Sequence, residues 1–322
     1  MLKEGIYLDT PVKEYRKWPA INYSSLADFN ESQDHALMEK KQKSYFEFGS
    51  AFELMIEDRV KGTKKFGERF FICEAPGEMP TDLAEWIESG EDLSLKYRRK
   101  KDGGLHGGAQ RLHDWLDECR ANAGKMPMGE DQIETLSIMT ENFLLMQPFA
   151  DIGNTKTLAE ILPLASFQVP ILWYTGKPFD GTTAAPGYSM RLKALLDCLI
   201  VTESTVYIFD IKTAADMKRF FWMMRDKYWI QEVHYTAGAG HLFTGKDIVW
   251  RFLVSSKAAP YISQPYCIDP AGQTSSEFVD PSKYGNVLDK YSDLCQRYQD
   301  WMDEGRLPKG WKELERVRIY LK

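Results

Sequence analysis

The stretch VYIFDIKTAADM, Val206 to Met217, constrains the fold more than any other part of the chain. Its β-branched and aromatic residues read as a strand. Strand alternation then puts Ile208, Asp210 and Lys212 on one face and Tyr207, Phe209 and Ile211 on the other. The second face is apolar and would anchor the strand on a core. The first carries an acid and a base side by side, which a purely structural strand has little use for.

The preceding apolar stretch, MRLKALLDCLI, ends at Ile200 and is joined to this one through VTEST. A hairpin centred between Glu203 and Ser204 sets Asp197 directly opposite Asp210. Like charges across a ladder repel, and two carboxylates in an apolar sheet are costly to ionise together. A divalent cation removes both costs, because carboxylate oxygens are hard ligands suited to Mg²⁺. Lys212, on the same face, could position a water and offset phosphate charge. Two acids and a Lys around one metal suit phosphodiester hydrolysis. The same residues also fit an edge strand whose charges face solvent, since a D-x-K triplet recurs at Asp216-Met217-Lys218, where Asp216 reads as a helix N-cap. The turn lacks Asn-Gly, so it does not fix the register by itself.

The rest of the chain sets the frame. Its 322 residues suffice for one large domain, and the net charge of −6 means that a polyanion would have to meet a local basic patch. The cysteines, Cys73, Cys119, Cys198, Cys267 and Cys295, have no CxxC spacing and read as reduced thiols. No apolar run approaches membrane-spanning length, and the first residues hold no signal-like apolar core, so a cytoplasmic protein is expected. Helices are predicted over 22–57 (with Ser24 or Ser25 as N-cap), 110–123, 130–147, from Asp216 to about Phe243, and over about 277–304. Strands are predicted at 69–73, within 156–174, 187–200 and 205–213, and at 247–255 and 259–268. Residues 75–109 read as loop. The expectation is one α/β (mixed α+β) domain over 1–322, with a central mixed β-sheet flanked by helices. Its mainly helical N-terminal part spans 1–150 and its sheet core 151–322.

With these pieces in order, the chain resembles the PD-(D/E)xK nuclease superfamily and, within it, the phage-type exonuclease VIII (RecE-like) group. The resemblance runs from about Ile21 to Trp311. INYSSLADF resembles the opening helix, FGSAFELMIED the Gly-x-x-x-His helix, KALLDCL the first-Asp segment, IFDIKTA the D-x-K strand and YWIQEVHYTAG the Gln-x-x-x-Tyr helix. It implies a restriction-endonuclease-like core, with Glu53, Asp197, Asp210 and the Ile211 carbonyl as metal ligands and Lys212 as catalytic Lys. Gln231 and Tyr235, on one helix face at i and i+4, would line the site. Glu53 stands where relatives often carry His, and Gln168 where they carry an acid. The implied activity is Mg²⁺-dependent digestion of linear double-stranded DNA from its ends, 5′ to 3′, with Mn²⁺ as a substitute metal. A single-strand annealing recombination protein as partner, a ring-like homo-oligomer and a phage or prophage origin in a bacterial host are implied as well. Two other readings stay open: a catalytically weakened DNA-end-binding protein, and a nuclease of the same superfamily acting on nicks, flaps or single strands.

Lys96, Arg98, Arg99, Lys100 and Lys101 form the densest basic run and are the candidate DNA contacts, with a solvated loop as the plain alternative. Lys61, Lys64 and Lys65 form a weaker cluster. The Gly240–Lys246 segment mimics a P-loop but has Asp247 where Ser or Thr is needed, and GGLHGG has no strand before it. His234 and His241 share a predicted helix, and one of them is expected to be packed rather than metal-bound. Phe220, Phe221, Trp222, Tyr228 and Trp229 read as core and interface rather than as a base-stacking platform.

Overall fold

The structure, a computed structural model, describes residues 3–8, 10–38, 45–74, 107–150, 153–174, 190–267 and 287–305. In chain order the elements are β1 (Gly5–Ile6), α1 (Val12–Arg16), α2 (Tyr23–Glu31), α3 (Gln33–Leu37), α4 (Tyr45–Lys61), α5 (Lys65–Arg69), β2 (Phe70–Ile72), α6 (Gly107–Ala121), β3 (Met126–Met128), α7 (Glu130–Leu144) and α8 (Leu158–Ile161). Then follow β4 (Ser166–Tyr174), β5 (Arg191–Val201), β6 (Thr205–Ala214), α9 (Met217–Met223), a π turn (Met224–Tyr228), α10 (Trp229–Leu242), β7 (Asp247–Ser256), β8 (Ser263–Tyr266) and α11 (Val287–Asp303). Among the described residues no helix is long and apolar enough to cross a membrane.

The chain divides into two compact units. One comprises residues 43–145 and 259–262 and holds α4 to α7 with the short parallel pair β2–β3. The other comprises the remaining residues and holds the sheet. The first 42 residues therefore belong to the sheet unit, not with the helices that follow them.

In the sheet unit the strand order is β1-β4-β5-β6-β7-β8. All neighbours are antiparallel except β6 and β7, which are parallel and joined through α9 and α10. A parallel pair needs such a crossover, so the long helical stretch after β6 is a requirement of the topology. It makes this a mixed α/β protein with a central mixed sheet flanked by helices.

The β5–β6 hairpin has the register expected from sequence: Cys198 pairs with Phe209, Leu199 with Ile208, Ile200 with Tyr207 and Val201 with Val206. Without Asn-Gly, the turn is held by side chains. Thr202 Oγ1 accepts from the Thr205 N–H at 3.0 Å, and Lys246 Nζ, from the false P-loop, donates to Thr202 O at 2.6 Å.

One face of the sheet packs under α10, α2 and α11. Val169, Ile171 and Trp173 of β4, Leu192, Ala194 and Leu196 of β5 and Ile208 of β6 join Ile230, Val233 and Tyr235 of α10 there. Each Val, Leu or Ile among them contributes about 1.5–3 kcal/mol on burial. The helix lies close because Gly238 has no side chain: a Cβ there would meet the Trp173 ring at 2.8 Å. On the other face Phe149 packs on Tyr207 and Phe209, as the apolar side of the opening stretch requires.

Three sequence expectations change. The helix expected over 22–57 is broken: Ser32 is extended, closing α2 and capping α3, and α4 is a separate helix. The N-cap of α2 is Asn22, whose side chain accepts from the Ser25 N–H; Ser24 and Ser25 both lean their hydroxyls on it. The apolar stretch at 156–165 is not strand before Ser166. Thr157 and Glu160 form a capping box, and the chain makes a helical turn there.

Candidate active site

The site begins where β5 and β6 part. Their ladder stops at Cys198 and Phe209, one step short of Asp197 and Asp210. The N–H of Ile211, freed by the split, donates to Asp197 Oδ2 at 2.9 Å. A side-chain carboxylate thus replaces the next rung of the sheet. The β5 edge left open is taken by Ile21: its N–H donates to Arg191 O at 2.9 Å, and the Lys193 N–H donates to Ile21 O at 2.8 Å. That segment carries Asn22 and Tyr23 to the split.

A twist accompanies it. Leu196 faces the α10 side, yet beyond Asp197 it is Leu199 that does so, while Cys198 pairs with the outward Phe209. The inward set shifts by one residue at the level of Gln168, which lies opposite Asp197 in the β4–β5 register and adopts φ of 51°. A left-handed residue inside a strand is rare for any residue but Gly and costs on the order of 1–3 kcal/mol. It brings the Gln168 amide onto the Asp197 carboxylate as a hydrogen-bond donor.

Asp210 is almost wholly buried at 1% exposure, under α10. Gln231 Nε2 donates to its Oδ1, and Lys212 Nζ ion-pairs with its Oδ2. Asp197 and Asp210 also hydrogen-bond each other. Burial, and then the Asp210 charge, push the Asp197 carboxyl up to about 7. Burial likewise raises Asp210, against the pull of Lys212. Burial alone would lower the Lys212 ammonium, but Asp210 and Asp197 together outweigh it and hold it charged.

Three tyrosines surround this cluster. The Lys212 ammonium lies 5.9 Å from the centre of the Tyr228 ring. Tyr23 and Tyr235 meet edge to face at 5.6 Å. The Tyr23 hydroxyl is pushed up to about 12, first by burial, with Lys212 opposing and Asp210 and Asp197 adding to it. Tyr235 is raised too, by burial foremost. The place of Tyr23 and Tyr228 was not read from the sequence. Tyr23 reaches the site through the Ile21 bridge, and Tyr228 through the π turn, a local widening of the helix that recurs at functional sites.

A cation fits the donor set. Asp210 Oδ2 is met by the Lys212 ammonium, and Gln231 Oε1 is buried beside it with no donor. A buried acceptor of this kind calls for a donor or a cation, and a cation also offsets the second carboxylate. Two carboxylates suffice for Mg²⁺, which keeps several waters or substrate oxygens in its shell. Among the described residues no group of three His, Cys, Asp or Glu side chains forms a metal cluster. Glu53 is half-buried on α4, in the helical unit. Ile211 pairs with Leu253 of β7.

The other sequence candidates separate. Lys96, Arg98, Arg99, Lys100 and Lys101 lie outside the described residues. Lys65 ion-pairs with the nearly buried Glu57 at 2.5 Å, so its charge serves the fold of its own unit. In that unit a recess of about 270 Å³ lies over α4 and α7, lined by Asp58, Arg59 and Glu141 among others. Its Arg59 and Glu141 pair with each other at 3.6 Å. His234 is packed, as expected: Nδ1 meets the Tyr291 hydroxyl at 2.7 Å and Nε2 the Lys193 carbonyl at 3.0 Å. Burial pushes it down to about 4, so it is neutral. Asp216 caps α9 through the Lys218 and Arg219 N–H groups. Of the aromatic run, Phe220 is core, but Trp222 is 52% exposed and departs from the core reading.

No family model matches the chain, and no curated protein matches it. Among solved structures it is similar to a protein of Eubacterium rectale described as "Putative exonuclease", at 10% identity and a TM-score of 0.38, over 89% of this chain and 82% of that one. A likeness at that score carries no weight for fold or function, and the functional reading rests on the site.

Proposed function

We propose that the protein is a metal-dependent deoxyribonuclease with a restriction-endonuclease-like core, acting from the ends of linear double-stranded DNA, 5′ to 3′. The observation that supports this most is the split between β5 and β6. It gathers Asp197, Asp210 and Lys212 on one buried spot and leaves the neighbouring Gln231 Oε1 without a hydrogen-bond donor. Asp197 and Asp210 would hold Mg²⁺ or Mn²⁺, with the Ile211 carbonyl as the further expected ligand. The metal would polarise the phosphoryl oxygen and lower the pKa of bound water. Lys212, released from Asp210, would orient the attacking water and face the charge that develops on phosphate. Gln231 would keep Asp210 in place, and Tyr235 would wall the site beside it. Recombination, with a single-strand annealing protein as partner, a ring-like homo-oligomer and a phage origin, belongs to the same proposal.

The second reading, a DNA-end-binding protein of weakened catalysis, draws on Gln168. An amide stands beside Asp197 where an acid would add a metal ligand. Digestion of linear, circular and single-stranded DNA in Mg²⁺ and in Mn²⁺ decides between them. On the nuclease reading, wild type degrades linear duplex, and Asp210→Ala and Lys212→Ala lose at least about 10²-fold in rate. Digestion that survives both substitutions sinks the site assignment. Retained DNA binding with no digestion by wild type favours the second reading.

A further inference from the structure

The outward side of α9 carries an exposed indole, Trp222, whose ring meets that of its neighbour Phe221 edge to face at 5.8 Å. Phe220 points inward, 4% exposed, with its ring 5.5 Å from Tyr228 and 6.1 Å from Phe252. Trp222 follows two residues later, which sets it about 160° away around the helix. It is 52% exposed. Lys218 and Arg219 are exposed as well. They lie about 40° and 60° from Trp222, one on each side. No acid occurs within Met217–Met223, and the Asp216 carboxylate before it is engaged by the backbone as the N-cap.

The location matters as much as the composition. α9 leaves the end of β6, the strand of Asp210 and Lys212. Its inward Phe220 touches the Tyr228 ring, which in turn lies 5.9 Å from the Lys212 ammonium. An exposed indole between two cations, on the helix whose opposite side borders the site, is the composition of a single-strand binding surface. Every base has a π-face to stack, and the cations meet the flanking phosphates. For a chain of net charge −6, such local positive groups are what can hold a polyanion at the site.

We propose that Lys218, Arg219 and Trp222 form a platform for a single-stranded DNA segment that runs on from the site, with the indole stacked on an unpaired base. This rests on the nuclease reading of the site on the other side of the helix. An enzyme that consumes one strand from a duplex end must separate it from its complement, and a stacking surface on the same helix lowers the cost of the unpaired base.

The test uses the full chain as wild type, Trp222→Ala, Trp222→Phe and the double variant Lys218→Glu/Arg219→Glu. Binding to a short single-stranded oligonucleotide is followed by anisotropy in chelator, and hydrolysis of bis-para-nitrophenyl phosphate, which has no base, is followed in Mg²⁺. Trp222→Ala should weaken oligonucleotide binding by about tenfold, and Trp222→Phe should restore most of it. Charge reversal should weaken binding and flatten its salt dependence by a slope of about 1 or more. Hydrolysis of the small diester should be unchanged in all of them. Wild-type affinity and KM for DNA in Trp222→Ala would overturn the platform. So would a change of oligomeric state in that variant with DNA binding intact, which would mark the face as a contact between copies. If wild type hydrolyses neither DNA nor the diester, the nuclease reading alone fails; weakened oligonucleotide binding by Trp222→Ala would still uphold the platform.

Discussion

At Asp210, burial and function pull in opposite directions. The carboxylate is taken out of water beside a second one and compensated by Lys212 and a single Gln231 amide. A neutral side chain of the same shape removes the repulsion. Asp210→Asn should therefore raise the stability of the metal-free protein by about 1 kcal/mol in urea titration, while cutting hydrolysis at least about 10²-fold. A lower midpoint at unchanged slope would mean that the Lys212 pair outweighs the repulsion. Asp197, Asp210 and Lys212 were legible as candidates because hairpin register is carried by sequence, whereas Gln231 and Tyr235 entered only through the resemblance of their helix. Gln168 was legible only as a missing acid. Its left-handed backbone and its bond to Asp197 have no sequence signature, since alternation of apolar residues says nothing about the sign of φ. Glu53 lies in the other compact unit, and the sequence alone gave it no spatial partner.

At the scale of elements, β5 is held from behind by a buried lysine that periodicity would have left outside. Lys193 is 5% exposed, and its ammonium donates to the carbonyls of Tyr15, Arg16 and Trp18 at 3.2, 3.3 and 2.9 Å, over the Tyr15 ring at 4.9 Å. It ends α1 as a cation at the helix C-terminus, where the Tyr15 and Trp18 carbonyls also accept backbone N–H groups. It also fixes the strand that carries Asp197. Lys193→Met keeps the stem and removes the donor. The three carbonyls then lose a shared partner, and the protein should lose about 1–3 kcal/mol in urea titration, with faster amide exchange in α1. Unchanged exchange there would show that the carbonyls find other donors. The sequence marked the strand correctly but gave no sign of this anchor, because a charged residue in an apolar run announces a partner without naming it. Similarly, Asn22 displaced the two serines as the cap of α2 because its Oδ1 reaches the Ser25 N–H while serving both hydroxyls.

Across the whole sheet unit, buried groups of opposite sense set the response to pH: His234 on one side, Asp197 and Asp210 on the other. Burial holds His234 down to about 4, so between about 4 and 6.5 the unfolded chain binds more protons at this residue than the folded one. Its contribution is complete above about 6.5 and is lost as pH falls toward 4. Asp197, raised to about 7, does the reverse. The folded protein keeps that proton and the unfolded chain gives it up above about 4, so this contribution is complete below about 4 and is lost as pH rises toward 7. Each has a limiting slope of about 1.4 kcal/mol per pH unit, and over the shared window from about 4 to 6.5 they oppose each other. Metal-free wild type should thus show no rise in stability across that window, since Asp210, raised as well, adds to the Asp197 arm. The double variant Asp197→Asn/Asp210→Asn removes the carboxyl arm and leaves the other: its stability should rise with pH by about 1 kcal/mol per unit up to about 6.5 and then level off. Urea titrations in chelator at half-unit steps check both curves. A flat curve for the double variant would mean that His234 titrates normally in the folded protein. A wild-type curve rising as steeply as the variant's would mean that Asp197 and Asp210 are already ionised without a cation, so that the split between β5 and β6 holds two charges that the present hydrogen bonds alone have paired.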